Sequence, residues 1–562
     1  MRNLAIVIAI LAFLPVFSYG QNEMIIEPYV TSGKMLDVSV RGDTLANGKR
    51  VNPDRVYVLR RGGLYWINNN IQNTGYPLRM RAEYGTGKKP IIYSSRPTAT
   101  TYPGQLFVAD STLELRNLVL VGWDDGGEAF STSVNQIITV NRTGQSMTID
   151  SCLLNNTTQR HIYINGAMHN VIITNTVFSD CGNLRSNNLG NGRAVDFRTV
   201  SIDSAVFQNC TFVNMHDRFI RHYGVGQAPI RHFTLDHCTI VNDIAEHGCL
   251  GIGALSGRIQ ITNNLFVDNF VFGNDSTAAE RLTEFGDTGE RGPSGAYRMT
   301  FVGSVPTDTV TNKWIVANNY YSVTPSLQAF YDSRNGLPDQ GIGNLIPLTW
   351  HINKKIVDSI NAFKKLATPI VFTKSPLVPI ALAQWFYLPL AQGGSGKIKQ
   401  NATFLAPYSQ DYDRRETFYF RDTLNLTYAT TSPAYTGALG GFPAGDLNWY
   451  PTQKSAWITA GMPTTGVENS GGAVPSSFVL EQNYPNPFNP STTLQYSVSK
   501  SSHVVLEVFN ILGQTVARLV DENLVPGTYH TTFDASTLSS GVYLYRLKAG
   551  DFVQTRKMVL MK

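Results

Sequence analysis

Charged side chains are scarce in this sequence of 562 residues. Asp, Glu, Lys and Arg together make up 15% of it, against about 25% in an ordinary globular domain. The formal net charge is only +5, which is too small for the basic surface that nucleic-acid binding requires. Asn, Thr, Ser and Gly take the positions that charged residues would normally occupy. This composition excludes coiled coils, helical bundles and disordered chains, and it favours a turn-rich β architecture.

Apolar runs long enough to cross a membrane are also missing. The extended run from Leu4 to Phe17 has 14 residues, whereas a bilayer span requires roughly 20. A basic start precedes this run and small residues at Ser18 and Gly20 follow it, which is typical of a cleaved secretion signal. A buried N-terminal helix is the alternative. We therefore expect residues 1–20 to be a signal peptide and the mature chain to be exported without a transmembrane segment.

Cysteine is rare and oddly distributed. The five cysteines are Cys152, Cys181, Cys210, Cys238 and Cys249. An odd number, clustered within about 100 residues and without a C-x-x-C pair, is a poor disulfide framework and a poor zinc site. Three of them, Cys152, Cys210 and Cys238, recur at one position of a repeated phrase. We therefore expect these three to be buried core thiols rather than catalytic groups.

The repeated phrase is the main feature of residues 113–322. It consists of two polar residues or a Cys, two or three apolar residues, and often Asn or Asp. Its second position falls at Asn117, Cys152, Thr176, Cys210, Cys238, Asn264 and Asn319. The spacings run from 24 to 35 residues, except for a last spacing of 55 that we interpret as two turns. Units of two or three short alternating strands cannot bury their own apolar face, but stacked units can, so the repeat predicts a parallel β-helix.

The residues before and after this repeat extend the prediction to residues 21–462. The stretch Arg55 to Tyr93 is predicted to form the first coils and a cap. Between Val30 and Asn319 the chain resembles the secreted right-handed β-helix proteins, with a pectate lyase-like fold, that include polysaccharide lyases. The resemblance is architectural and contains no diagnostic catalytic motif. The segment Ser432 to Pro451 resembles the closing segment of surface β-helix proteins of the Bacteroidetes type.

The C-terminal region is predicted to be a separate domain. Residues 463–477 have the composition of a flexible linker, and residues 478–562 contain short alternating strands separated by turn residues, which predicts a small immunoglobulin-like β-sandwich. The motifs NYPNPFNP from Asn483, VFNILGQTVARL from Val508 and a terminal KMVLMK stand in order. They resemble the type A sorting domain of the Bacteroidetes type IX secretion system. The motif residues are Asn483, Tyr484, Pro485, Asn486, Pro487, Phe488, Gly513, Gly541 and Lys562.

This resemblance implies a route and a set of partners. The domain would be recognised by the type IX secretion translocon and removed by a sortase-like peptidase. The mature protein would be secreted, or would stay on the outer-membrane surface through attachment to lipopolysaccharide. The alternative is a plain immunoglobulin-like adhesion module.

A catalytic site on the β-helix is a weaker prediction. The candidate residues are Asp196, Arg198, Arg218, Arg221 and His222. In a lyase, cations neutralise a uronate carboxylate and a base removes the adjacent proton, and His222 is an easier base than an arginine. The same residues could instead form a solvated charge ladder that holds the coils in register. The histidine spacings fit no metal pattern, so no metal is assigned, and calcium enters only with the lyase alternative.

Loop aromatics suggest a binding role. Trp123 and Tyr297 would suit stacking on sugar rings, with ordinary loop packing as the alternative. Our first hypothesis is an exported protein that binds extracellular polysaccharide or another surface ligand through a flat face of the β-helix. A polysaccharide lyase or glycoside hydrolase is the second hypothesis, and a non-enzymatic surface stalk or adhesin is the third. No nucleic-acid partner is expected.

Overall fold

The structure is a computed structural model, and the chain divides into two compact units, Met1–Thr465 and Gly466–Lys562. The described residues are 22–47, 49–95, 103–124, 134–182, 190–222, 228–244, 249–252, 255–273, 300–302, 313–338, 362–398, 424–460, 462, 478–483, 486–498, 502–524, 527–535, 538–550 and 552–561. The predicted signal peptide and linker lie outside these residues and stay predictions.

Three all-parallel sheets form the first unit. Sheet 1 contains Glu23–Ile26, Val56–Leu59, Leu78–Ala82, Leu113–Arg116, Gln145–Asp150, Met168–Thr174, Ile202–Gln208, Ile230–Asp236, Leu255–Thr262 and Lys313–Ala317. Sheet 2 contains Ile71–Gln72, Gln105–Ala109, Gln136–Val140, Arg160–Ile164, Arg193–Asp196, Ile220–His222, Leu250–Ile252 and Thr300–Val302. Sheet 3 contains Leu64–Ile67, Ile91–Ser94, Val119–Asp124, Leu153–Thr157, Val177–Cys181, Thr211–Met215, Thr239–Val241, Leu265–Val267, Asn319–Ser322 and Phe363–Lys365. From Leu64–Ile67 to Lys313–Ala317, successive strands enter sheets 3, 2 and 1 in turn, so each of these coils contributes one strand to each sheet, and the predicted parallel β-helix is confirmed.

One left-handed residue makes the bend from sheet 1 into sheet 3 in each of seven coils. These residues are Asn117, Ser151, Asn175, Asn209, His237, Asn263 and Asn318, with φ between 48° and 60°. Asn tolerates this conformation because its short amide bonds to nearby backbone, which explains why five of the seven are Asn. The bend residue is the first position of the repeated phrase. The side chains at the second position stack on one another from coil to coil and form a ladder. The ladder begins at Leu118 rather than at Asn117, because Leu153 pairs with Val119 and the predicted alignment was one residue out of register there.

The ladder lies inside the stack of coils. Cys152, Cys210 and Cys238 are buried and free, which confirms their prediction as core thiols. Burial raises the pKa of the Cys152 thiol to about 11, so it is unreactive at neutral pH. Next in the ladder, Asn264 donates from Nδ2 to Asn319 Oδ1 at 2.8 Å. Polar ladder members are tolerated in the core because their neighbours satisfy them.

The spacing of 55 residues corresponds to one coil, so the interpretation of it as two turns is wrong. Leu265 of sheet 3 pairs directly with Tyr320, so the chain between them makes a single circuit that also contributes Thr300–Val302 to sheet 2. A coil that contains more residues still lies one strand spacing from its neighbour in space, although its ladder positions are about twice as far apart in sequence. Sequence distance alone therefore could not separate the two cases.

Short helices lie at the N-terminal end of the stack and in the part of the chain that follows Asn319–Ser322. Helix α1 (Tyr29–Ser32) and helix α2 (Leu36–Gly42) lie at the N-terminal end, where Leu36 and Val40 of α2 enter the core. Helix α3 (Pro325–Asp332) and helix α4 (Ile380–Tyr387) pack together through Phe330 and Tyr387. Helix α5 (Pro451–Thr459) and the short 3-10 helices Leu390–Gln392, Pro433–Thr436 and Leu447–Trp449 complete the unit.

The C-terminal strap, residues 424–460, lies against the outward side of sheet 3. Asp446 accepts a hydrogen bond from Thr211 Oγ1 at 2.7 Å and donates from its amide to Thr239 Oγ1 at 2.8 Å. Lys454 Nζ donates to Asn175 Oδ1 at 2.7 Å, and the Gly445 amide donates to the Asn263 carbonyl at 2.8 Å. The strap thus bonds to four successive coils.

The second unit is a two-sheet antiparallel sandwich. Sheet 4 contains Val479–Leu480, Ser491–Val498 and Gly527–Asp534, and sheet 5 contains Thr515–Leu524, Ser502–Phe509, Gly541–Ala549 and Phe552–Leu560. Alternating apolar residues of both sheets, such as Leu494 and Tyr545, form one core. The predicted small β-sandwich after the β-helix is confirmed.

Candidate functional site

The outward face of sheet 2 contains two of the predicted catalytic residues, Asp196 and Arg221. Ile138, Ile162 and Val195 are in register in successive coils and point into the core, so the next residue of each strand points outward. The outward column is Gln72, Val108, Thr139, Tyr163, Asp196, Arg221 and Gly251. Its members are about 4.8 Å apart from one coil to the next.

Asp196 is held between two guanidinium groups. Arg221, in the next coil, donates from Nε to Oδ1 at 3.0 Å and from Nη2 to Oδ2 at 2.6 Å. Arg160, in the preceding coil, donates from Nη1 to Oδ2 at 3.0 Å. Burial alone would raise the pKa of Asp196, but Arg221, Arg193 and Arg160 together lower it to about 2. Asp196 is therefore ionised at neutral pH and is a weak proton acceptor.

A second set of charges adjoins this one. Arg193, beside Arg160 in sheet 2, has its Nη2 atom 2.8 Å from Asp217 Oδ2, and Arg218 Nε lies 3.8 Å from the same oxygen. Burial lowers the pKa of Arg193 to about 10, so it remains a cation at neutral pH. The side chain of Arg218 occupies the space above Gly251, where an added Cβ would meet its Cδ at 2.4 Å. Sheet 2 thus carries a buried network of guanidinium groups and carboxylates.

His222 ends the strand that contains Arg221, and it is 2% exposed. Its Nε2 lies 3.1 Å from the Val200 carbonyl. Burial lowers the pKa of His222 to about 4, against the effects of the Val200 and Ala228 carbonyls and of Asp196. The imidazole is therefore neutral at neutral pH, as a general base requires, but it is almost fully shielded from solvent.

The remaining predicted residues are not assembled with this network. The Arg198 amide donates to Asp196 Oδ1 at 3.1 Å, but that bond uses the backbone and leaves its side chain without a role in it. The backbone of Trp123 lies in sheet 3, not sheet 2, and its side chain is outside the described part of the chain. Tyr297 also lies outside the described residues. The roles predicted for these residues stay predictions.

Four residues on the same face escaped the sequence prediction. Tyr163 is half-buried, and the Arg160 guanidinium carbon lies 4.2 Å from the centre of its ring. Gln136 Oε1, Thr139 Oγ1 and Arg160 Nε are buried and have no hydrogen-bond partner in the described part of the structure. Only the lateral pairing brings Thr139 next to Tyr163. The one signal in the sequence is the aromatic residue in the short stretch HIYING, which begins at His161.

No metal centre is visible on this face or elsewhere in the residues described. Groups of three or more His, Cys, Asp or Glu side chains placed to hold an ion are absent from them. The residues present therefore give no geometry for calcium. Nor does any helix in the described ranges combine the length and apolar character of a membrane span.

In the second unit the sorting-motif residues bond its first segment to its last two strands. The Asn483 amide donates to Tyr545 Oη at 2.8 Å. Asn486 Oδ1 accepts from the Val559 amide at 2.9 Å, and the amide of the buried Phe488 donates to the Val559 carbonyl at 2.9 Å. Pro487 lies between these two residues, and Gly541 begins a strand of sheet 5. Tyr484, Pro485 and Lys562 lie outside the described residues.

Comparisons with known proteins identify this second unit. Residues 482–561 match the family described as Secretion system C-terminal sorting domain. A search of the curated proteins found no match, and neither did a search of the solved structures. The sorting domain indicates export through the type IX secretion system, so the protein is directed to the cell surface or the extracellular space. The comparisons assign no binding or catalytic function to the β-helix.

Proposed function

We propose that this exported protein binds an extracellular polysaccharide, or another hydroxyl-rich surface ligand, on the outward face of sheet 2 around Tyr163. The observation that carries the proposal is the set of three buried hydrogen-bonding atoms without partners, Gln136 Oε1, Thr139 Oγ1 and Arg160 Nε, beside this ring. Two of them can accept hydrogen bonds and one can only donate. A sugar satisfies both kinds because each hydroxyl donates and accepts.

The cost of unpartnered polar atoms supports this choice of face. A buried polar atom left without a partner costs about 1–3 kcal/mol, so such atoms usually bond to protein, to ordered water or to a ligand. The Tyr163 ring supplies an apolar surface with a polar rim, the combination that small-molecule and sugar sites generally have. Arg160 stacks on that ring and pairs with Asp196, which limits the motion of both. The site is therefore preorganised, and preorganisation lowers the entropic cost of binding.

The enzyme alternative has less support. Asp196 is neutralised by Arg221 and Arg160, and its lowered pKa makes it a weak base. His222 is neutral but buried. Paired, buried charges fit a network that keeps neighbouring coils in register and supports the Tyr163 surface. A lyase would have to break these pairs before its substrate could use them.

Binding is tested by retention of the full chain on a panel of neutral and uronate polysaccharides. We expect Tyr163→Ala to reduce affinity at least tenfold. Tyr84→Ala is the matched control, because Arg81 stacks on Tyr84 at 3.7 Å in the same way but away from sheet 2. Equal loss in both variants, or no retention of the parent chain on any glycan, would refute the proposal and leave the structural stalk as the better account.

Thr139→Val separates ligand binding from folding. Removing a hydroxyl that has no partner should leave the stability of the free chain unchanged or slightly raised, while affinity falls about tenfold if a ligand uses that hydroxyl. The same panel is followed by ultraviolet absorbance and by reducing ends, with and without calcium. Turnover that is lost in Asp196→Ala or His222→Ala would replace the binding proposal with the lyase.

A further inference from the structure

A turn in the second unit presents two bare aliphatic side chains to solvent. It joins Ser502–Phe509 to Thr515–Leu524 in sheet 5. Ile511 is 74% exposed and Leu512 is 77% exposed. Among the large apolar side chains described in this unit, these two have the greatest exposed fractions. They form a small convex apolar surface.

Other residues build the turn. The Gly513 amide donates to the Asn510 carbonyl at 3.0 Å, and Gly513 has a φ of +78°, which favours glycine. Asn510 Oδ1 accepts from the amides of Leu512 and Gln514, both at 3.0 Å, and Asn510 Nδ2 donates to Gln514 Oε1 at 2.8 Å. The turn is closed by backbone and amide groups alone, so its geometry does not depend on the Ile511 and Leu512 side chains.

Ile511 and Leu512 are unfavourable residues for the positions that they occupy in this turn. Central turn positions favour Gly, Asn, Asp, Ser and Pro, whereas a β-branched Ile fits a strand better. Exposed aliphatic pairs also promote aggregation. Residues that are unfavourable for their local structure and gain no packing contact in return are expected at functional sites. Here the structure shows no packing gain, because both side chains are solvated.

We propose that Ile511 and Leu512 form an anchor that docks into an apolar groove of a secretion-system protein, the one that recognises this sorting domain before export. The turn lies within residues 482–561, the part of the chain that matches the sorting-domain family. A convex pair on a turn whose backbone is already fixed suits a concave apolar partner, because little backbone freedom is lost on docking. This proposal does not depend on sugar binding by the β-helix.

Export of the full chain from a host that has the type IX system tests this anchor. In Ile511→Ser with Leu512→Asn, we expect about a hundredfold fall in the amount of chain at the surface and in the medium, since burial of each of the two aliphatic side chains is worth about one factor of ten. The chain should accumulate inside the cell. Leu512→Met, which keeps an apolar side chain, should be exported almost normally. Val553→Thr removes aliphatic surface from an exposed strand of the same unit and should have no effect.

Folding is monitored separately on the purified chains. The Ser and Asn residues suit the turn, so the double variant should unfold at the same urea concentration as the parent. Parental export of the double variant would overturn the proposal. So would an export defect that is accompanied by a lower unfolding midpoint. A change in oligomeric state with normal export would also overturn it, and would assign the anchor to contact between two copies of the chain.

Discussion

The β-helix should lose stability in mild acid because burial keeps His161 and His222 neutral. His161 is fully buried, with Nε2 3.1 Å from the Ser179 carbonyl, and burial lowers its pKa from 6.5 to about 3. Burial likewise lowers the pKa of His222 from 6.5 to about 4. Below pH 6.5 the unfolded chain binds protons that the folded chain does not. The stability is therefore complete above pH 6.5 and falls as the pH drops toward the folded-state values.

The magnitude follows from these pKa values. At pH 5, which is 1.5 units below the unfolded pKa, each histidine costs about 2 kcal/mol, and the pair costs about 4 kcal/mol relative to pH 7.5. A loss of this size is a large part of the 5–15 kcal/mol by which a typical domain is stable. Replacing the two histidines should therefore change the pH dependence of the unfolding free energy by a readily measurable amount.

His161→Gln with His222→Gln is the perturbation, because glutamine can still donate to the two carbonyls and does not titrate in this range. Unfolding in urea is followed by tryptophan fluorescence at pH 7.5, 6 and 5. All seven tryptophans lie between Trp66 and Trp457, so the signal from the full chain reports on the first unit alone. We expect the pH dependence of unfolding free energy to differ between parent and variant by about 4 kcal/mol across this range.

Two buried acids change the stability with pH in the opposite direction, but their contribution is the same in parent and variant and cancels in the comparison. Burial raises the pKa of Asp268 to about 6 and that of Asp243 well above its ordinary value. Each of these acids adds stability as the pH falls, because the folded chain then holds the proton more tightly than the unfolded chain. Both acids are present in parent and variant. Parallel pH profiles for the two chains would refute the reasoning, since the slope would then come from other groups.

Three further predictions concern the interior and the strap. Asp243→Asn should raise the urea midpoint at pH 7.5, because burial and the nearby Asp217 disfavour a carboxylate there, and a lower midpoint would contradict this. The five buried thiols should not react with a disulfide reagent in the folded chain, and all five should react in urea. Rapid labelling without denaturant would show that they are accessible. Gly445→Ala should cost about 1–3 kcal/mol or more, because φ is +92° and the added Cβ would lie 2.5 Å from Thr239 Oγ1. Gly441→Ala, with φ of +79° and open space around it, should cost less, and equal losses would rule out the steric contact with Thr239.

The sorting domain and the β-helix were both predictable from local sequence. Period-two alternation in phrases such as SMTIDSC and HFTLDHC is a property of a single strand, and a left-handed bend needs only one tolerant residue, such as Asn175 or Asn209. The motif around Asn483 and Phe488 is likewise contiguous. Such patterns can be recognised in the sequence because they do not depend on which distant residues become neighbours in the fold.

What the tertiary structure decided was lateral register and burial. Register moved the first ladder residue from Asn117 to Leu118 and made the 55-residue spacing a single coil. Register also put Arg160 and Arg221 on either side of Asp196, so this predicted site residue pairs with guanidinium groups of both neighbouring coils. Thr139 and Tyr163 stand 24 residues apart in the chain and in adjacent strands of sheet 2. Pairing between coils depends on the lengths of the intervening loops, which vary freely, so no local pattern could have placed these side chains together.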